Sequence, residues 1–186
     1  MTQLFYNHAG ALGARKHYPR SMSRLLKSRD IKTSLVSDVG GVEAQRLGAI
    51  LDRSFPNGFN CWGVPSGARG LFHRIQPGDV FLLIGKVQIA PFPDGAFDYA
   101  AKIELTWPEP LPATSQQIWG EARWPFVFFF SASRVSLPWP VFLKDVNYRS
   151  GWNPQGRFYR VNPFVYGRLP GGDPDGYFQH ILKNFP

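Results

Sequence analysis

Tyr99-Ala100-Ala101-Lys102-Ile103-Glu104-Leu105-Thr106 sets Tyr99, Ala101, Ile103 and Leu105 against Lys102, Glu104 and Thr106, the pattern of a strand with one buried face. To its N-terminal side, the turn Gln76-Pro77-Gly78 leads into Asp79-Val80-Phe81-Leu82-Leu83-Ile84, a largely apolar run that reads as a second strand. To its C-terminal side, Phe126-Val127-Phe128-Phe129-Phe130 reads as a third, buried strand and Phe158-Tyr159-Arg160-Val161 as a fourth. The cluster Pro170-Gly171-Gly172-Asp173-Pro174 is a turn, and the spacing beyond it predicts a closing helix from Tyr177 to Asn184.

Proline separates this β-rich part from the rest. Sixteen of the 17 prolines fall at or after Pro56, and the other is Pro19, so Arg20 to Phe55 is the window in which helices run uninterrupted. Ser21 is placed to cap a short helix carrying Met22, Leu25 and Leu26, and Gly41 precedes a second helix with Leu47, Ile50 and Leu51 at i, i+3, i+4. Between them, Thr33-Ser34-Leu35-Val36-Ser37 reads as a short strand. Several short strands with flanking helices predict a small, strongly curved or closed sheet. The 186 residues amount to one domain with an appendage, not two large domains.

Charge and aromatic content mark the chain out. The net charge is +8, and six cations (Arg15, Lys16, Arg20, Arg24, Lys27, Arg29) with no acid lie in residues 1–29. This basic segment, residues 1–32, is expected to be an extension that precedes the domain proper, residues 33–186, and to favour nucleic acid or another acidic surface. The same composition also suits an organelle transit peptide. No run reaches the ~18 uncharged apolar residues of a membrane span, so the expectation is a soluble, cytoplasmic protein without a membrane partner. Cys61 is the single cysteine, which excludes an internal disulfide and a multi-cysteine zinc site.

Enzymatic constellations are sparse. Gly58, Gly63, Gly67 and Gly70 are scattered among turn residues and form no phosphate-cradling loop, and His8, His17, His73 and His180 make no pair at ligand spacing. Asp94, Asp98 and Glu104 have the residue types of a metal-dependent nuclease, but Lys102 precedes the glutamate and no second acid shares its strand. No cofactor or resident metal is expected.

The six tryptophans are more informative. Trp62, Trp107, Trp119, Trp124, Trp139 and Trp152 all adjoin turn or loop residues. Indoles at loop edges can stack on a nucleobase or brace the ends of a barrel. Their order also matters. After the run ending in Ser37-Asp38 come a helix, Asn60-Cys61-Trp62-Gly63-Val64-Pro65, the strands Asp79–Ile84 and Tyr99–Leu105, Ile118-Trp119, and Trp124-Pro125-Phe126-Val127-Phe128.

Over about residues 33–165 this succession resembles the YTH and EVE branch of the PUA-like fold, in particular the specificity domains of McrBC-type modification-dependent restriction systems. The resemblance implies an α+β domain, a small PUA-like β-barrel flanked by helices, that reads a methylated base in an aromatic cage. By position, Trp62, Trp119 and Trp124 correspond to the cage. The backbone beside Trp62 and Gly63, together with Ser37 and Asp38 at the end of the expected first strand, corresponds to the polar base contacts. The family's basic phosphate contact has no clean match; Arg69, His73, Arg74, Arg123, Lys144, Arg149, Arg157 and Arg160 form the pool of candidates. The resemblance further implies a prokaryotic protein, which argues against the transit peptide. It implies a targeting module for methylated DNA, with N6-methyladenine first and 5-methylcytosine, 5-hydroxymethylcytosine or N6-methyladenosine RNA as alternatives. Cleavage is then expected of a nuclease or AAA+ GTPase subunit or fused domain.

Overall fold

The computed structural model describes residues 1–85, 95–152, 154 and 157–186. In chain order its elements are β1 (Leu4–His8), α1 (Ala11–Ser21), α2 (Ser28–Val39), α3 (Gly41–Ser54), β2 (Asn60–Val64), α4 (Arg69–Phe72), β3 (Val80–Ile84), β4 (Ala96–Thr106), α5 (Pro112–Trp119), β5 (Phe126–Pro138), α6 (Trp139–Asp145), β6 (Phe158–Arg160) and α7 (Pro174–Asn184). The strands form a mixed sheet in the order β2-β5-β4-β3-β1-β6. The α+β class read from the sequence holds.

The chain folds into two compact units, each entered more than once: residues 1–15, 78–102 and 132–186 form the first, and residues 16–77 and 103–131 the second. In the first unit β1 pairs parallel with β3 (Tyr6 opposite Leu82) and antiparallel with β6 (Tyr6 opposite Tyr159). Its core gathers Leu4, Tyr6, Leu82, Phe97, Leu137, Trp139, Phe142 and Ile181. Leu4, Phe5 and Tyr6 are fully buried. The N-terminal residues expected as an extension therefore begin with a strand hydrogen-bonded along both edges. The strand escaped the sequence reading because a five-residue strand next to a cationic run leaves only a weak periodic signal.

In the second unit β2 pairs antiparallel with β5, with Trp62 opposite Phe128. The run Phe126–Phe130 is buried on both faces. Val127 and Phe129 join Leu35, Leu47, Leu51 and Trp119 in one core, while the Phe72 ring of α4 lies 5.3 Å from Phe126 and 6.5 Å from Phe128.

Two local expectations are corrected. Thr33–Ser37 is not a strand but the middle of α2, in which Ile31, Ser34 and Leu35 are buried at i, i+3, i+4. At the start of α2 the Asp30 carboxylate accepts the Lys27 backbone N–H at 2.8 Å. Packing of that face overrides the β preference of Thr33, Val36 and their neighbours. Ser21 ends α1 instead of starting a helix, and Pro19 lies within its last turns. The chain that leaves the helix finds a donor elsewhere: the buried Asn60 amide reaches the oxygens of Ser21, Met22 and Arg24 at 3.0, 3.1 and 3.2 Å. None of the helices among the described residues is long and apolar enough to cross a membrane.

Candidate nucleic-acid interface

Three segments of the second unit deliver the tryptophans. Trp62 comes from the centre of β2, Trp119 from the last residue of α5, and Trp124 from the turn that enters β5. Each is held by identifiable chemistry. The N-terminus of α5 has no side-chain cap of its own. Asp38 supplies one from α2, its carboxylate accepting the N–H groups of Ala113 and Thr114 and the Thr114 hydroxyl at 2.7–2.8 Å. At the other end Gly120 takes the left-handed conformation, φ +76°, that stops the helix just after Trp119. The turn behind it is fixed by the buried Ser115 hydroxyl, which donates to the Glu121 carbonyl at 2.6 Å and accepts the Trp124 N–H at 3.2 Å.

The indoles converge. Trp62 and Trp119 meet edge to face at 6.3 Å, and the Trp119 N–H donates to the Ser21 hydroxyl at 3.0 Å. Gly63 permits the approach, since a Cβ there would stand 2.6 Å from the Trp124 carbonyl oxygen and 2.8 Å from the Trp119 ring. Trp119 is 2% exposed and Trp62 6%, whereas Trp124 is half-buried.

Helix α1 supplies what sequence reasoning missed. The His17 ring lies 4.8 Å from Trp124 and 6.5 Å from Trp62, and Tyr18 lies 6.0 Å from Trp62. The cations beside them follow. Lys16 pairs with Glu121, and Arg123, 3.8 Å from the same carboxylate, lies 5.0 Å over the Trp124 ring. Arg20 reaches the Ile118 carbonyl at 3.5 Å. Lys16 holds the Glu121 carboxyl below the usual carboxylate range. Two of the six N-terminal cations, Lys16 and Arg20, thus lie beside the tryptophans. The only sequence signal for this arrangement was a histidine-tyrosine pair inside the cationic run.

The remaining candidates are distributed differently. Gly63 joins the indoles, but Ser37 sits on the exposed face of α2 and donates to the Thr33 carbonyl at 3.2 Å. The premise that placed Ser37 and Asp38 beside a base, a first strand ending there, does not hold, and Asp38 is engaged in capping α5. Arg69, His73 and Arg74 are exposed in and after α4 of the second unit, the Arg69 Nε donating to His73 Nε2 at 3.2 Å. Lys144, Arg149, Arg157 and Arg160 belong to the first unit, and Arg160 donates to the Gln3 side chain at 3.0 Å.

Of the nuclease candidates, Asp94 lies outside the described residues; Asp98 accepts the Gly85 N–H at 2.7 Å and Glu104 the Ser131 N–H at 3.1 Å. The described residues contain no group of three or more His, Cys, Asp or Glu arranged to hold a metal ion. Cys61 is fully buried, and burial pushes its thiol far above the usual range.

No family model and no curated protein matches the chain. Among solved structures, the N-terminal domain of Thermococcus gammatolerans McrB bound to m5C DNA is similar over 98% of this chain and 98% of that one, with a TM-score of 0.69 and 17% sequence identity. The chain has the fold of the McrB N-terminal domain, in keeping with the PUA and EVE resemblance read from its motifs.

Proposed function

We propose that the chain binds methylated DNA and receives the modified base, rotated out of the duplex, against Trp62 and Trp124, with Trp119 as the buried support behind them. The observation that carries this reading is the convergence of three indoles, from β2, α5 and the turn before β5, in a fold shared with a domain solved on m5C DNA. Extrusion of a base costs a few kcal/mol. Stacking on aromatic rings returns about 1–3 kcal/mol per base, and burial of the methyl group adds about 0.8 kcal/mol. Lys16, Arg20, Arg69, His73, Arg74 and Arg123 supply phosphate contacts and the salt dependence, with Lys144, Arg149, Arg157 and Arg160 as further candidates.

The m5C DNA of the similar domain puts 5-methylcytosine first; N6-methyladenine, favoured by the motif order, is second. In this reading the chain is a targeting module, and a nuclease or AAA+ GTPase partner acts on the DNA it marks. The test is fluorescence anisotropy at fixed salt with duplexes carrying one 5-methylcytosine, one 5-hydroxymethylcytosine, one N6-methyladenine or no modification, plus an N6-methyladenosine ribo-oligonucleotide. Preference for a methylated duplex is expected. Equal affinity for all of them overturns the reading.

A further inference from the structure

Within the aromatic cluster, His17 carries a buried ring nitrogen that makes no hydrogen bond among the described residues. The residue is 6% exposed, and the unpaired nitrogen is its Nδ1. A buried polar atom left unpaired costs about 1–3 kcal/mol, a penalty that a phenylalanine of similar shape would avoid. The nitrogen lies in a ring set edge-on to Trp124 and Trp62, at interplanar angles of 70° and 77°. The indole nitrogens of Trp107 and Trp139 also lack partners, but an indole only donates, whereas a neutral imidazole offers an acceptor as well. Burial holds His17 below the usual histidine range. Lys16, Arg20 and Arg123 push the same way, and Glu121 opposes them. The ring is therefore neutral at pH 7.

We propose that His17 is the specificity-determining polar contact of the cluster, its Nδ1 accepting a hydrogen bond from the exocyclic amino group of the methylated base. The proposal rests on the base-binding reading above. The chemistry is common to the N4 amino group of 5-methylcytosine and the N6 group of N6-methyladenine. It rejects thymine, which has the same 5-methyl group but an acceptor oxygen at position 4. A site built to pair a buried nitrogen discriminates against a base that leaves it unpaired more strongly than methyl burial can.

Thymine is therefore the informative comparator. Anisotropy is measured for the wild-type protein and His17→Phe, which keeps an aromatic ring against Trp124, on duplexes with 5-methylcytosine, N6-methyladenine, thymine or cytosine at one position. The cost of opening each duplex is the same for both proteins and cancels between them. His17→Phe is expected to lose about tenfold in affinity for the preferred methylated duplex, equivalent to about 1.4 kcal/mol, and to lose the wild-type margin over thymine, while its melting temperature does not fall. Protonation of the imidazole removes the acceptor, so the wild-type margin should narrow at acid pH, below the ordinary histidine range because burial lowers the folded pKa, and the margin of His17→Phe should not move.

A His17→Phe protein with the wild-type margin overturns the proposal and leaves the base-binding reading standing. A wild-type protein with no preference for any methylated duplex overturns the base-binding reading itself.

Discussion

Each compact unit holds a dense aromatic cluster with a tryptophan drawn from a loop edge, and the two differ in the polar atom each leaves unpaired. In the first unit Tyr6 stacks on Tyr159 at 5.0 Å, and Trp152 lies 5.9 Å from Tyr159 and 5.7 Å from Tyr148. The Trp152 N–H donates to the Tyr6 hydroxyl at 3.0 Å, and the Tyr148 hydroxyl is bonded to the backbone of Asn162. Burial drives the Tyr6 hydroxyl far above its ordinary range, so it stays protonated, and the buried polar atom left unpaired in this cluster is the Trp139 indole N–H, which only donates. In the second unit the indoles are equally close, but the His17 Nδ1 is unpaired and Lys16, Arg20 and Arg123 stand around it. Aromatic density does not identify a site. What distinguishes the proposed site is an unpaired ring nitrogen beside positive charge.

The comparison breaks most readily where burial is deepest. Trp119→Ala removes a 2% exposed indole and its bond to Ser21, and is expected to cost about 3–5 kcal/mol of stability by denaturant unfolding. A smaller loss would mean that Trp119 is a loosely held binding surface, not a support.

The contrast between clusters is tested by Trp124→Ala and Trp152→Ala, both at half-buried indoles. Trp124→Ala should weaken methylated-duplex binding by about 1–3 kcal/mol. Trp152→Ala should lower the melting temperature and leave the methylated-to-unmethylated ratio within twofold. The reverse pattern would move the site to the first unit.

Asp38→Ala removes the cap of α5 and should cost about 0.5–2 kcal/mol, seen as a lower midpoint in urea. An unchanged midpoint would show that the backbone of α5 needs no partner from α2.

The smallest effect compares the half-buried His8 of the first unit with the buried His17 of the second. Burial lowers the pKa of both His8 and His17 relative to the unfolded value of 6.5. Between the folded and unfolded values the unfolded chain binds more protons, so stability falls as pH drops below about 6.5 and levels off once the folded groups protonate. His17→Phe should flatten only its own share of that slope, with the His8 share, held at Pro154, still visible.

Period-two alternation in Ala96–Thr106 and the apolar runs at Val80–Ile84 and Phe126–Phe130 were legible because side-chain direction follows from local backbone geometry alone. The closing helix was legible too, although it begins at Pro174 under an Asp173 cap, three residues before the first turn read from spacing. Thr33–Ser37 was not, because its helix exists to pack Ile31 and Leu35, a partner interaction that local propensity does not contain.

The sequence by itself determined the mixed α+β class, the strands around Val80–Ile84, Ala96–Thr106, Phe126–Phe130 and Phe158–Arg160, and the positions of Trp119 and Trp124 at element boundaries, all of which depend on neighbours a few residues apart. Only the tertiary structure decided that Leu4–His8 is an internal strand, that Asp38 serves α5, and that His17 meets Trp62 and Trp124 across more than forty and one hundred residues of chain. Those outcomes come from burial and hydrogen-bond closure between distant segments, which no spacing within one segment encodes.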